Sequence, residues 1–103
     1  MTCRVLLTRE ARDDLQRLEE FLERAAVESG DFDLPLRAVD AILAEFEILE
    51  RNPFTCRKVS EDPFERELVI PFGKAGHVAL FRVLSDKEVA VLAIRHQREG
   101  DYR

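Results

Sequence analysis

The chain has 103 residues, of which 46% are hydrophobic and 36% are charged, and its formal net charge is −5. A domain of this length buries about 60–70% of its unfolded surface, enough for a modest core without metal or disulfide cross-links. The apolar content excludes a disordered chain, and no apolar run approaches the roughly 18–20 residues of a membrane span. We therefore expect a single domain over residues 1–103 and no association with a membrane.

The distribution of charge restricts the class of partner. Residues 1–51 contain seven basic and thirteen acidic residues, a net charge of −6, whereas residues 52–103 contain nine and eight, a net charge of +1. Proteins whose affinity depends on many phosphate contacts are normally basic. We therefore expect no extended direct binding to nucleic acid.

The two cysteines, Cys3 and Cys56, favour a reducing compartment. They form no CxxC motif and have no histidine at ligand spacing, and a small secreted domain normally carries more cysteines. The first apolar stretch is only three residues long, too short for a signal peptide. We expect a cytoplasmic protein with reduced thiols, no bound metal and no other cofactor.

The first half of the chain predicts a strand and two helices. A short apolar stretch predicts a strand over residues 3–7, after which the hydroxyl of Thr8 is suited to cap a helix over residues 9–28. Gly30 is suited to the left-handed position that follows a helix. Asp33 is then predicted to cap a second helix over residues 34–51, with Pro35 in its first turn. The short connection predicts an antiparallel helical hairpin.

The second half predicts three strands, over residues 66–72, 77–84 and 88–96. Two short connections join them, which predicts an antiparallel meander. The fold class is therefore α+β: an N-terminal strand and a helical hairpin packed on a small sheet that ends in a three-stranded meander. The predicted core is Leu15, Leu18, Leu22, Val39, Leu43, Phe46, Leu68, Ile70, Leu80, Val91, Leu92 and Ile94.

Charged side chains in the predicted strands allow two interpretations. Arg66 and Arg82 either form ion pairs with Glu65, Glu67 or Glu88, or they belong to a cationic patch that binds an anionic partner. His96, beside Arg95, is either a structural hydrogen-bonding group or an acid–base catalyst of RNA cleavage. His77, at the start of a strand, is interpreted as incidental.

Four segments resemble one known family. They are VLLTREARDDL at residues 5–15, LERNP at 49–53, RELVIPF at 66–72 and, most specifically, VLAIRHQREGDY at 91–102. In this order they are similar to the RelE/ParE superfamily of bacterial toxins from type II toxin–antitoxin operons, and the last segment resembles the ParE-like branch.

The resemblance implies a toxin that inhibits DNA gyrase, is not itself an enzyme, and is neutralised by a ParD-like antitoxin. It implies that the antitoxin segment lies across the helical hairpin and an edge of the sheet, and the acidic first half suggests that this segment is basic. The expected target-binding residues are Arg66, Arg82, Arg95, His96, Arg98 and Tyr102. The alternative is a RelE-like, ribosome-dependent mRNA endonuclease, for which the candidate catalytic residues are His96, Arg82 and Tyr102.

Overall fold

The structure, a computed structural model, describes residues 2–72 and 75–96. Its elements in chain order are β1 (Arg4–Leu7), α1 (Arg9–Ser29), α2 (Leu34–Arg51), a 3₁₀ turn (Pro53–Thr55), β2 (Arg57–Lys58), β3 (Glu65–Phe72), β4 (Ala75–Val83) and β5 (Glu88–His96). The predicted α+β class is confirmed, and the predicted elements agree with the observed ones to within two residues at each end. The short strand β2 has no counterpart among the predicted elements.

The ends of α1 are formed as the sequence predicts. The Thr8 hydroxyl accepts a hydrogen bond of 3.1 Å from the backbone N–H of Ala11, which satisfies one of the free donors of the first turn. At the other end, Gly30 has φ +80°, and its N–H donates to the carbonyl of Ala26 at 2.8 Å. A residue with a side chain would be strained in this conformation, which explains the glycine.

The start of α2 differs from the prediction in one respect. Pro35 lies in the first turn as expected, but the Asp33 side chain makes no capping hydrogen bond, so the predicted cap is wrong. The backbone of Asp33 is already helical rather than extended, and an N-cap side chain normally needs an extended backbone to reach the free N–H groups. Instead, Asp31 closes the hairpin through hydrogen bonds of 3.0 and 2.6 Å from the Arg37 guanidinium.

The sheet has five strands in the order β1-β5-β4-β3-β2. Strands β3, β4 and β5 form the predicted antiparallel meander, and β1 pairs in parallel with the first half of β5. Leu80 pairs with Ala93 and Phe81 with Val91, so Leu92 is an extra residue that forms a β-bulge in β5. The short strand β2 extends the sheet beyond β3.

The hydrophobic core lies between the helices and one face of the sheet. Its largest fully buried side chains are Phe81, Ile42, Leu49, Ile70, Val89 and Val91. Six predicted core residues are buried: Leu22, Phe46, Leu68, Ile70, Val91 and Ile94. Five others are only partly buried: Leu15, Leu18, Val39, Leu80 and Leu92.

Leu43 is the clear error in the predicted core, because half of its surface is exposed. Helix α2 carries two adjacent apolar stripes that both satisfy helical spacing. It buries the one that contains Ala38, Ile42 and Phe46, whereas Leu36 and Leu43 remain exposed on its flank. Among the described residues, no helix is long and apolar enough to cross a membrane.

Candidate functional site

The predicted target-binding residues do not form one cluster. Arg82 pairs with Ala90 across the sheet, whereas Arg95 pairs with Val78, four residues away along β4 and thus about 13 Å at the usual rise of a strand. Arg66 neighbours Arg82, because it pairs with Phe81. Arg66 and Arg82 therefore lie towards one end of the sheet, and Arg95 and His96 towards the other. Arg98 and Tyr102 lie outside the described residues.

Arg82 forms ion pairs with two carboxylates. Its guanidinium donates to Asp62 at 2.5 Å and lies 3.6 Å from Glu65. The hydrogen bond from Arg82, assisted by one from the backbone N–H of Phe64, lowers the pKa of Asp62 below its ordinary value. The ion-pair interpretation is thus confirmed for Arg82, whose charge is largely compensated by these neighbours.

Arg66 has a structural environment that neither interpretation anticipates. Its guanidinium donates to three backbone carbonyls, those of Pro63 at 2.8 Å, Phe54 at 3.1 Å and Cys56 at 2.7 Å. It also lies over the Phe54 ring, 5.2 Å from the centroid, in a cation–π contact. Arg66 therefore holds the segment between α2 and β3 against the sheet through these hydrogen bonds.

A groove lies between α1 and the end of β5, at the opposite end of the sheet. Its volume is about 450 Å³, and we call it the β5 groove; it is lined by Asp14, Arg17, Leu18, Phe21, Ile94, Arg95 and His96. Phe21 is 56% exposed and supplies the aromatic part of this lining. The groove thus combines an apolar wall from α1 with polar groups from both elements.

Asp14 organises the polar part of the β5 groove. Its side chain is only 3% exposed, and it forms ion pairs with both Arg17 and Arg95. The same carboxylate accepts a hydrogen bond of 3.0 Å from the backbone N–H of Ile94. Asp14 is not among the predicted site residues, although the sequence contains a signal for it. It lies on the apolar stripe of α1, three residues after Ala11, where a buried carboxylate needs partners.

His96 lies on the rim of the groove beside a second histidine. The rings of His96 and His77 meet edge to face with centroids 5.5 Å apart, and the His77 ring stacks on Phe72 at 6.0 Å. His77 is 3% exposed, so it is a buried residue of β4 that packs against both rings. His77 and His96 are paired across the sheet, and Arg82 lies five residues from His77 along β4. The backbone positions of Arg82 and His96 are therefore about 16 Å apart along the strand direction.

The two cysteines and the metal-ligating side chain types are the remaining groups that could carry chemistry. Both cysteines are free thiols, and burial raises the pKa of the Cys56 thiol above its ordinary value. Within residues 2–72 and 75–96, no three side chains of the ligating types come together to hold a metal ion. The side chains that line the β5 groove offer charge-assisted hydrogen bonds and an apolar surface.

Comparison with known proteins identifies the family. The model of the ParE toxin of the type II toxin–antitoxin system parDE matches residues 5–100. Toxin RelE3 of Caulobacter vibrioides is 36% identical over 89 residues, which cover 86% of this chain and 88% of that protein. The fold is similar to a structure of the chromosomal ParDE toxin–antitoxin system from P. aeruginosa, with a TM-score of 0.63, 24% identity, and coverage of 91% of this chain and 95% of the other. The chain belongs to the ParE family of type II toxins.

Proposed function

We propose that this toxin inhibits DNA gyrase by binding to it, that it catalyses no reaction of its own, and that it acts in the cytoplasm. The observation that supports a binding role most strongly is the separation of Arg82 from His96. An RNase that uses His96 as acid or base and Arg82 as the stabilising cation needs both residues beside the scissile phosphate. Arg82 is instead about 16 Å away along the sheet and is held by Asp62 and Glu65. Arg95, next to His96, forms an ion pair with the buried Asp14.

The charge of the chain supports the same proposal. Cleavage of ribosome-bound mRNA requires a surface that tolerates the dense negative charge of RNA, whereas this chain has a net charge of −5. A protein target needs only a few charge-assisted contacts. We propose that Arg95 and His96, at the end of β5, make these contacts with the target. Arg98 and Tyr102, which follow them in the sequence, are predicted to contribute as well.

We propose the β5 groove and the exposed flank of α2 as the surface for a ParD-like antitoxin. Phe21 in the groove and Leu36 and Leu43 on the flank are all at least half exposed, and an apolar segment that folds on binding would cover them. The antitoxin segment is expected to be basic, because residues 1–51 carry a net charge of −6.

The endonuclease remains the second candidate, since His96 lies at the rim of an open groove beside His77. Two assays with the same purified toxin separate the candidates: supercoiling by gyrase and cleavage of mRNA on ribosomes. The proposal predicts loss of supercoiling and intact mRNA. Cleaved mRNA with unaffected supercoiling would replace it by the second candidate.

A further inference from the structure

A second groove lies at the end of the sheet that holds Arg82, away from the β5 groove. Its volume is about 430 Å³, and we call it the aromatic groove; its lining includes Phe54, Phe64, Arg82, Leu84 and Asp86. Phe54 and Phe64 are each 46% exposed, and Leu84 is 51% exposed. Exposed apolar side chains that cluster in a groove are typical of interaction sites.

Hydrogen bonds fix the backbone of Phe64 on both sides. Its N–H donates to the Asp62 side chain at 2.9 Å, and its carbonyl accepts from the N–H of Val83 at 2.8 Å. The Phe64 ring meets the Phe54 ring edge to face, with centroids 6.1 Å apart, an arrangement in which aromatic rings attract each other. Phe64 is thus held at the surface by its own neighbours.

Arg66 fixes Phe54 in a similar way. Its guanidinium binds the carbonyl of Phe54 and lies over the Phe54 ring, and it also binds the carbonyls of Pro63 and Cys56. The charge of Arg66 is therefore directed to backbone oxygens. Aromatic side chains that are ordered before binding lose little conformational entropy when a partner covers them, and such side chains commonly anchor protein interfaces.

The aromatic groove has an acidic character. Arg82 forms ion pairs with both Asp62 and Glu65, so one cation and two carboxylates together have a net charge of −1. Asp86 is exposed and adds a further negative charge to the lining, whereas Lys87, the next residue, does not line the groove. This end of the sheet, where a cationic patch would bind an anionic partner, therefore favours a cationic one.

We propose that the aromatic groove is a further docking site for DNA gyrase, and that it receives a segment of gyrase with a cationic and an apolar side chain. This inference rests on the proposed function and names a second surface for the same target. An enzyme that holds DNA presents basic surfaces to the phosphates, and a basic surface complements an acidic groove.

The experiment measures the toxin concentration that halves the supercoiling of relaxed plasmid by purified gyrase. Phe64→Ala and Leu84→Ala each remove an exposed apolar side chain from the groove and are expected to raise this concentration about fivefold or more. Val59→Ala is the matched control and is expected to inhibit as the wild-type chain does. Val59 is 37% exposed, lies in the same connection between β2 and β3 as Phe64, and does not line the groove.

A reversal of charge tests the chemistry of the partner. Asp86→Lys is expected to weaken inhibition, most clearly at low ionic strength, because a cationic partner would then meet a like charge. Glu23→Lys changes the net charge by the same amount at an exposed position of α1 outside the groove, and it is expected to have little effect. Stronger inhibition by Asp86→Lys would show that the groove meets an anion and would overturn the proposal.

The outcomes separate this inference from the proposed function. If the wild-type chain inhibits gyrase and both apolar variants inhibit as strongly as Val59→Ala, the inference is wrong and the proposed function stands. If the wild-type chain does not inhibit gyrase, the proposed function fails and the inference fails with it. Circular dichroism shows whether each variant is folded, and if Phe64→Ala is not, Leu84→Ala and Asp86→Lys decide the question.

Two further results would assign the aromatic groove to another occupant and contradict the proposal. One is a loss of antitoxin affinity in Phe64→Ala and Leu84→Ala without a loss of inhibition. The other is a dimer of the wild-type chain, seen by analytical ultracentrifugation, that Phe64→Ala converts to a monomer of unchanged inhibitory strength.

Discussion

Asp14 near the start of α1 and Arg95 near the end of β5 form an ion pair in which the carboxylate is almost completely buried. Arg95 is also one of the residues proposed to contact the target. Because of the ion pair, its replacement is expected to affect stability as well as target binding. We expect Arg95→Ala to lower the free energy of unfolding by about 1.5–3 kcal/mol, the usual contribution of a hydrogen bond to a charged group. Denaturant unfolding measures this loss.

Arg4 provides the control for this prediction. It also forms an ion pair, with Glu88 at 2.8 Å, but its side chain is 73% exposed. Exposed ion pairs contribute little, so Arg4→Ala is expected to change the free energy of unfolding by no more than about 0.5 kcal/mol. Equal losses for the two variants would show that the buried ion pair of Asp14 and Arg95 stabilises the fold no more than an exposed one.

The second prediction concerns the face that α2 buries. Phe46 is 5% exposed and Leu43 is 50% exposed. Truncating a buried Phe leaves a cavity, so Phe46→Ala is expected to cost about 3–5 kcal/mol. Leu43→Ala leaves no cavity and should cost well under that. Thermal unfolding of both variants tests which face of α2 is buried. A larger loss of stability for Leu43→Ala than for Phe46→Ala would show that the helix buries the opposite stripe.

The third prediction concerns acid pH. The hydrogen bond from Arg82 holds the pKa of Asp62 below its ordinary value of 3.8, so the folded state binds a proton less readily than the unfolded chain does. The stabilisation from this pair is therefore complete above pH 3.8 and is lost as the pH falls through the lower pKa of the folded protein. Carboxyl NMR titration should show the Asp62 pKa rising towards 3.8 in Arg82→Met. An unchanged Asp62 titration in that variant would exclude Arg82 as the cause.

The fourth prediction tests the antitoxin surface. Phe21 is 56% exposed in the β5 groove, whereas Val27 is 72% exposed on the same helix and does not line the groove. Phe21→Ala is expected to weaken antitoxin binding by about fivefold or more, because truncating a large aromatic anchor of an interface costs over about 1 kcal/mol. Val27→Ala should have little effect. Similar affinities of both variants, measured by calorimetry, would place the antitoxin elsewhere.

Much of the fold follows from local patterns. The cap at Thr8, the left-handed Gly30 and the meander of β3 to β5 depend on neighbours in sequence, and all three are confirmed. The burial of Ile42 rather than Leu43 depends on how α2 is rotated about its axis against the sheet, and both residues fit a helical spacing of apolar positions.

The candidate site was less predictable, because its contacts join distant parts of the chain. The segment of the family resemblance that contains Arg95 and His96 gave one side of the β5 groove. The other side of the groove is formed by Asp14 and Phe21 on α1. These residues reach the end of β5 because β1 ends at Leu7 and α1 lies beside the rest of β5, and this arrangement could not be predicted from the sequence.

His96→Ala distinguishes the two proposed mechanisms at a single residue. An endonuclease that uses His96 as acid or base should lose about 10²–10⁴-fold in its rate of cleavage. A gyrase inhibitor should lose only the contact energy of one side chain, measured as a modest rise in the concentration that halves supercoiling. The variant must first be shown to be folded, since His96 packs against His77.

The central claim is that this toxin acts on gyrase by binding. The most direct measurement is supercoiling of relaxed plasmid by purified gyrase as the toxin is titrated, with and without an equimolar antitoxin, beside ribosome-dependent cleavage of mRNA by the same toxin preparation. The account predicts that supercoiling is lost in proportion to bound toxin, is restored by the antitoxin, and that mRNA stays intact. Unaffected supercoiling with cleaved mRNA would contradict it.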